Sequence, residues 1–168
     1  WEISTRSLAK AEGDHISGCT FREKVLNAFG FEGEDQFQEF SGKNLDQGYT
    51  YIFEYCGPSN RIVTRYEKEE MVLTGIRSNI NGDWFSPEIM EQVASEFRFA
   101  GLNVRAVKSY PLNSYDGILE AIKNLPTLAE GYVCFDPVSG KRVKIKNPSY
   151  VAIHGLRENG ALSMKKVY

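Results

Sequence analysis

Tyr49-Thr50-Tyr51-Ile52-Phe53-Glu54-Tyr55-Cys56, followed by Gly57-Pro58-Ser59-Asn60, is the stretch that decides the fold class. Aromatic and β-branched side chains dominate the first eight positions, which reads as a buried strand. The glycine and proline that follow cannot continue it, so the chain turns. Two more strands are expected directly afterwards, Arg61–Tyr66 and Met71–Arg77, giving a meander. Ser86-Pro87-Glu88 then reads as an N-cap with proline at the first helical position, and Ile89, Met90, Val93 and Phe97 supply that helix's apolar stripe.

Working outward, Trp1 to Leu8 has the alternation of a strand, and Gly13 and Gly18 punctuate a loop. Thr20 with Glu23 forms a capping-box pattern ahead of a helix whose apolar face is Phe21, Val25, Leu26 and Phe29. A second, acidic helix is expected from Glu34 to Phe40. Toward the C-terminus come a short strand at Val104–Val107, a helix at Ser114–Leu125, and a hairpin. The hairpin runs out along Glu130–Phe135, turns at Pro137–Gly140 and returns along Arg142–Lys146. Asn147-Pro148-Ser149 starts a last helix through His154, and Arg157–Tyr168 forms a tail without an apolar face. Meander strands with segregated helices make the fold class α+β, with mainly antiparallel sheets and flanking helices.

The 168 residues, 42% hydrophobic and 25% charged, suit one globular domain with a real core. No apolar run approaches the roughly 18–20 residues that span a bilayer, so no membrane is expected as a partner. Cys19, Cys56 and Cys134 are odd in number and far apart. They read as reduced thiols, with no disulfides, in an intracellular and cytoplasmic protein. Net charge is −2 with no lysine-rich tail, so phosphate recognition must come from a few placed cations.

Three sets of residues can supply such chemistry. Lys144 and Lys146 alternate on a strand, so both ammonium groups leave one face about 7 Å apart. They repel unless an anion such as a phosphate oxygen sits between them; the other reading is a solvated strand face. Glu54, in an aromatic strand, either accepts from a ribose hydroxyl, helps to place a metal ion, or is an exposed carboxylate on a half-buried strand. Glu130 opens the hairpin that presents the two lysines, and its hard oxygens suit magnesium; a plain turn-edge glutamate is the alternative.

Taken together, Phe53-Glu54-Tyr55-Cys56-Gly57-Pro58, then Glu130-Gly131-Tyr132-Val133, then Lys144-Ile145-Lys146 resemble motifs III, IV and V of the covalent nucleotidyltransferases. The chain is most similar to the phage-type, tRNA-repair branch of the ATP-dependent RNA ligases, through Asn60-Arg61-Ile62-Val63 and through Tyr150-Val151 with His154. Thr5-Arg6-Ser7 looks like the family's basic motif Ia, with serine in place of glycine.

The resemblance implies an adenylation domain that uses ATP and Mg2+. Such a domain joins RNA 5′-phosphate and 3′-hydroxyl ends, with tRNA as the substrate class of this branch, through lysyl-AMP and RNA-adenylate intermediates. It implies Lys144 and Lys146 at the α-phosphate, Glu54 at the ribose, Glu130 at the magnesium ion and Arg6 near the phosphates. Tyr150 matches an aromatic position of the family, and His154 is expected to be structural.

The family's nucleophile lies in a Lys-x-Asp-Gly motif. Lys10-Ala11-Glu12-Gly13 is a poor match that a polar loop follows, and the chain opens at Trp1. The expectation is therefore a partial nucleotidyltransferase domain at 1–156 whose motif I lies upstream, with 157–168 as a tail or the start of a helical C-terminal domain. A monomer is expected, acting in the host cytoplasm if phage-encoded. The rival readings are a non-catalytic nucleotide- or RNA-binding remnant, a DNA ligase or capping enzyme, and an unrelated α+β protein.

Overall fold

The computed structural model describes residues 1–13, 18–60, 64, 66–158 and 161–162. The elements follow in the order α1 (Phe21–Phe29), α2 (Glu34–Asn44), β1 (Tyr49–Cys56), a short 3-10 turn (Pro58–Asn60), β2 (Glu70–Ser78), α3 (Pro87–Phe99) and β3 (Val104–Ala106). Then come α4 (Tyr115–Lys123), β4 (Gly131–Phe135), β5 (Arg142–Lys146), α5 (Pro148–Leu156), and the two-residue strands β6 (Arg157–Glu158) and β7 (Ala161–Leu162). The fold is α+β, as the meander and helix pattern predicts.

The helix signals act as expected. The Thr20 hydroxyl accepts from Glu23 N while the Glu23 carboxylate accepts from Thr20 N at 2.7 Å, closing the capping box. Gly30, at φ 97°, ends α1 in the left-handed region that a side chain disfavours. Ser86 caps α3, and proline occupies its first turn. Met90 and Phe97 are buried beneath α3, whereas Ile89, expected in the same stripe, faces outward at 44% exposure.

β2 is the centre of a three-stranded sheet, antiparallel to β1 and parallel to β3, with α3 as the crossover between β2 and β3. The strand expected at Arg61–Tyr66 falls mostly outside the described residues. Tyr51, Phe53 and Tyr55 of β1 point into the core beneath α1, α2 and α3, with Phe29 and Phe53 edge to face at 4.9 Å. Thr50, Ile52 and Glu54 alternate onto the opposite, outer face and stay exposed, so β1 is buried on one side only. The register slips once: Ile52 pairs with Gly75, and Phe53 with Leu73. Thr74 is left unmatched in a β-bulge beside the strand that carries Glu54.

The strand expected at Trp1–Leu8 does not form. Thr5 Oγ1 accepts from Leu8 N, Thr5 N donates to Leu8 O, and Ala11 N returns to Ile3 O. A threonine side chain that closes a local turn competes with ladder hydrogen bonds, and here it prevails. Among the described residues no helix is long and apolar enough to cross a membrane.

Candidate active site

The β4–β5 hairpin builds the charged half of the site. Gly131 pairs with Lys146, Val133 with Lys144 and Phe135 with Arg142, so these six positions share one face of the ladder. Gly131 has φ 141°, and a Cβ on it would lie 2.1 Å from the Ile145 carbonyl oxygen. Only glycine lets β4 begin this close to the end of β5, and that closeness puts Glu130 beside both lysines. Glu130 Oε1 lies 2.7 Å from Lys144 Nζ and 3.6 Å from Lys146 Nζ. The anion expected between the two lysines is, in this state, the protein's own carboxylate.

Asn147 fixes the backbone of this corner. Its side chain is buried and donates to the carbonyls of Pro126 and Ala129, each at 3.1 Å. Its Oδ1 accepts from Ser149 N at the start of α5, while its own N donates to Glu130 O at 2.7 Å. The sequence marks Asn147 only as a helix start; its second task needs the fold.

Glu54 faces this hairpin from the outer face of β1. Its residue surface remains open to solvent, yet the protein around the carboxyl displaces enough water to push its pKa above the usual range. The negative charge of Glu130 adds to that shift, and Lys144 opposes it. Burial also raises the Tyr150 phenol, with smaller contributions from Glu130 and then Glu54. Tyr150 therefore stands near both carboxylates, buried on α5 with His154 stacked on it at 5.9 Å.

Glu54 on β1, Glu130 just before β4, and Lys144 and Lys146 on β5 thus form one charged cluster. Arg6 is not part of the lysine clasp. It is exposed and borders, together with Glu54 and Asn60, a cavity of about 970 Å³ along the open edge of β1. Glu54 therefore stands where the cavity and the charged cluster adjoin. Among the described residues no three metal-binding side chains of His, Cys, Asp or Glu come together. The Glu130 carboxylate still suits magnesium, which is commonly held by one or two carboxylates with phosphate oxygens and water completing its shell.

Two further cations of the chain are engaged away from this cluster. Lys43 pairs with Glu39 on α2 at 2.6 Å, and Arg142 is turned inward onto backbone carbonyls. Lys141 is exposed beside the hairpin turn, and Arg61 and Arg65 lie outside the described residues.

A family model described as RNA ligase matches residues 3–150. The chain belongs to the RNA ligase family. It is 32% identical over 156 residues to a protein of Autographa californica nuclear polyhedrosis virus named as a bifunctional polynucleotide kinase/RNA ligase. That match covers 92% of this chain and 21% of the viral protein. It is 24% identical over 188 residues to an RNA ligase of Rhodothermus phage RM378, covering 94% of this chain and 42% of the phage protein. A protein of Thermovibrio ammonificans named as an RNA ligase is 28% identical over 124 residues, covering 71% of this chain and 30% of that one. The chain therefore spans less than half the length of each of these curated relatives. Family membership bears out the resemblance carried by residues 53–58, 130–133 and 144–146 and sets aside the unrelated-protein reading.

Proposed function

We propose that this chain is the nucleotide-handling part of an ATP-dependent RNA ligase that joins RNA 5′-phosphate and 3′-hydroxyl ends. The observation that carries the reading is the Glu130 carboxylate held between Lys144 and Lys146 beside Glu54. Two cations on one strand face that grip a carboxylate can grip a phosphate in its place. Lys144 and Lys146 bind the α-phosphate of ATP and stabilise the charge that develops as pyrophosphate or AMP departs. Glu54 accepts from the ribose. Glu130, once a phosphate has taken its place between the lysines, is free to hold Mg2+, which neutralises phosphate charge. Arg6 reaches the nucleotide from the cavity side, and the substrate is an RNA end, with tRNA as the candidate class. The chain works as a monomer. Lys10, exposed in an irregular segment, is not the nucleophile.

The test is equilibrium dialysis with labelled ATP and magnesium. Lys144→Ala and Lys146→Ala are each expected to weaken binding about tenfold, the worth of one charge-assisted contact. Unchanged affinity in both variants would sink the reading. A denaturing gel after incubation with labelled ATP tests the last point: covalent label that disappears in Lys10→Ala would make Lys10 the nucleophile.

A further inference from the structure

Arg142 does something the sequence pattern does not announce. It alternates with Lys144 and Lys146 on β5, so all three leave the same face. Yet its guanidinium is partly withdrawn from solvent and donates to the Thr74 carbonyl at 3.0 Å and the Phe85 carbonyl at 3.2 Å. It lies 4.3 Å from the Trp84 ring centroid, and its Nη2 approaches Met90 Sδ at 3.7 Å. Among the described residues its partners are carbonyls, a thioether and aromatic rings, with no carboxylate. A cation taken out of water without a counter-ion is costly, and the carbonyl dipoles and the ring face offset that cost only in this geometry.

The slot that receives Arg142 is made by the bulge. Thr74 has no register partner on β1, and its carbonyl is the one that accepts from Arg142 Nη1. Gly75, the next residue, leaves the space: a Cβ there would come within 2.7 Å of Trp84 Cζ3 and 3.0 Å of Arg142 Nη1. Gly75 pairs with Ile52, which lies two residues before Glu54 on the same face of β1. Lys144 lies two residues after Arg142 on the same face of β5. The two steps are equal, about 7 Å each in extended strands. Docking Arg142 over Gly75 therefore sets Lys144 beside Glu54.

We infer that Arg142 is a positioning residue that locks the lysine-bearing face of the hairpin onto the bulge of the sheet and so aligns Lys144 and Lys146 with Glu54. The importance of that alignment for nucleotide binding rests on the proposed function; the locking itself does not.

Two measurements on the full chain test it. In the first, spin labels replace Ile80 and Val138, which are 92% and 95% exposed, after the three cysteines are changed to serine or alanine. Electron–electron dipolar spectroscopy then reads the sheet-to-hairpin distance. A narrow distribution is expected in the parent, and a broad or shifted one in Arg142→Met with its circular dichroism retained. Gly75→Ala, which crowds the slot but keeps the arginine, is expected to broaden it likewise and decides the matter if Arg142→Met fails to fold. The second is a double-mutant cycle on ATP affinity: Lys144→Ala should cost about tenfold in the parent and under about twofold in Arg142→Met, since residues acting as a unit are not additive. An unchanged distance distribution in the folded variants, or an undiminished Lys144→Ala loss in Arg142→Met, overturns the inference. If the parent binds no ATP, the proposed function falls and the distance measurement alone decides Arg142.

Discussion

Lys144 holds Glu130 across the hairpin, Nζ to Oε1, at 2.7 Å, and Lys146 Nζ approaches the same oxygen at 3.6 Å. A phosphate bound as proposed would compete with Glu130 for the same two cations. A divalent ion that attracts Glu130 relieves the competition, so magnesium and nucleotide should bind with positive coupling. Glu130→Gln removes the internal competitor. It should bind ATP without magnesium several-fold more tightly than the parent and gain little when magnesium is added. Equal magnesium dependence in parent and variant, read by calorimetry, would contradict this arrangement.

Glu54 supplies a pH prediction with a defined sign. Its folded pKa is raised, chiefly by burial and then by Glu130, so the folded state binds the proton more tightly than the unfolded chain does. Stability from this group is then present at low pH and declines as pH rises past the ordinary carboxyl value of 4.5. Glu54→Gln should melt above the parent near neutral pH and match it below about pH 4, while losing ATP affinity. A variant that melts below the parent near neutral pH would show that Glu54 stabilises the fold instead.

Asn147 is the structural keystone of the same corner. Asn147→Ala leaves the carbonyls of Pro126 and Ala129 without their donor in a buried place. A loss of about 2–3 kcal/mol is expected in urea denaturation. ATP affinity should fall as well, because the Glu130 backbone loses its anchor. A stability change near zero would mean that water replaces the side chain without cost.

At the other end of the chain, Arg22 holds Glu34 in a two-pronged contact, Nε to Oε2 at 2.9 Å and Nη2 to Oε1 at 2.8 Å, and also reaches Glu2. The Arg22 hydrogen bond, with help from Gln38, pulls the Glu34 carboxyl down to about 2. Its stabilisation is fully present above the ordinary value of 4.5 and is lost as pH falls toward about 2. Because Glu34 is 44% exposed, solvent screening limits the effect to below about 1 kcal/mol. Glu34→Gln should lower the melting point slightly near neutral pH and match the parent near pH 2; a difference that persists there would point to a packing role.

What the sequence by itself determined is local. The Thr20–Glu23 box, the Ser86-Pro87 start and the period-two lysines of β5 each act within a few residues, so spacing suffices to read them. The motif order at 53–58, 130–133 and 144–146 also sufficed for the family. The Trp1–Leu8 strand misled because alternation carries no information about a threonine hydroxyl that closes a turn instead.

Tertiary structure alone decided which charges meet. Glu54 feels the charges of Glu130 and Lys144 because the fold brings the outer face of β1 toward the lysine face of the hairpin. Arg142, whose pattern is that of one more exposed cation on the strand, turns inward because a bulge between Leu73 and Gly75 offers it the Thr74 carbonyl and a glycine-sized space. A long side chain takes the partner that pairing register brings within reach, and register between distant strands is a property of the assembled sheet, not of any short stretch of sequence.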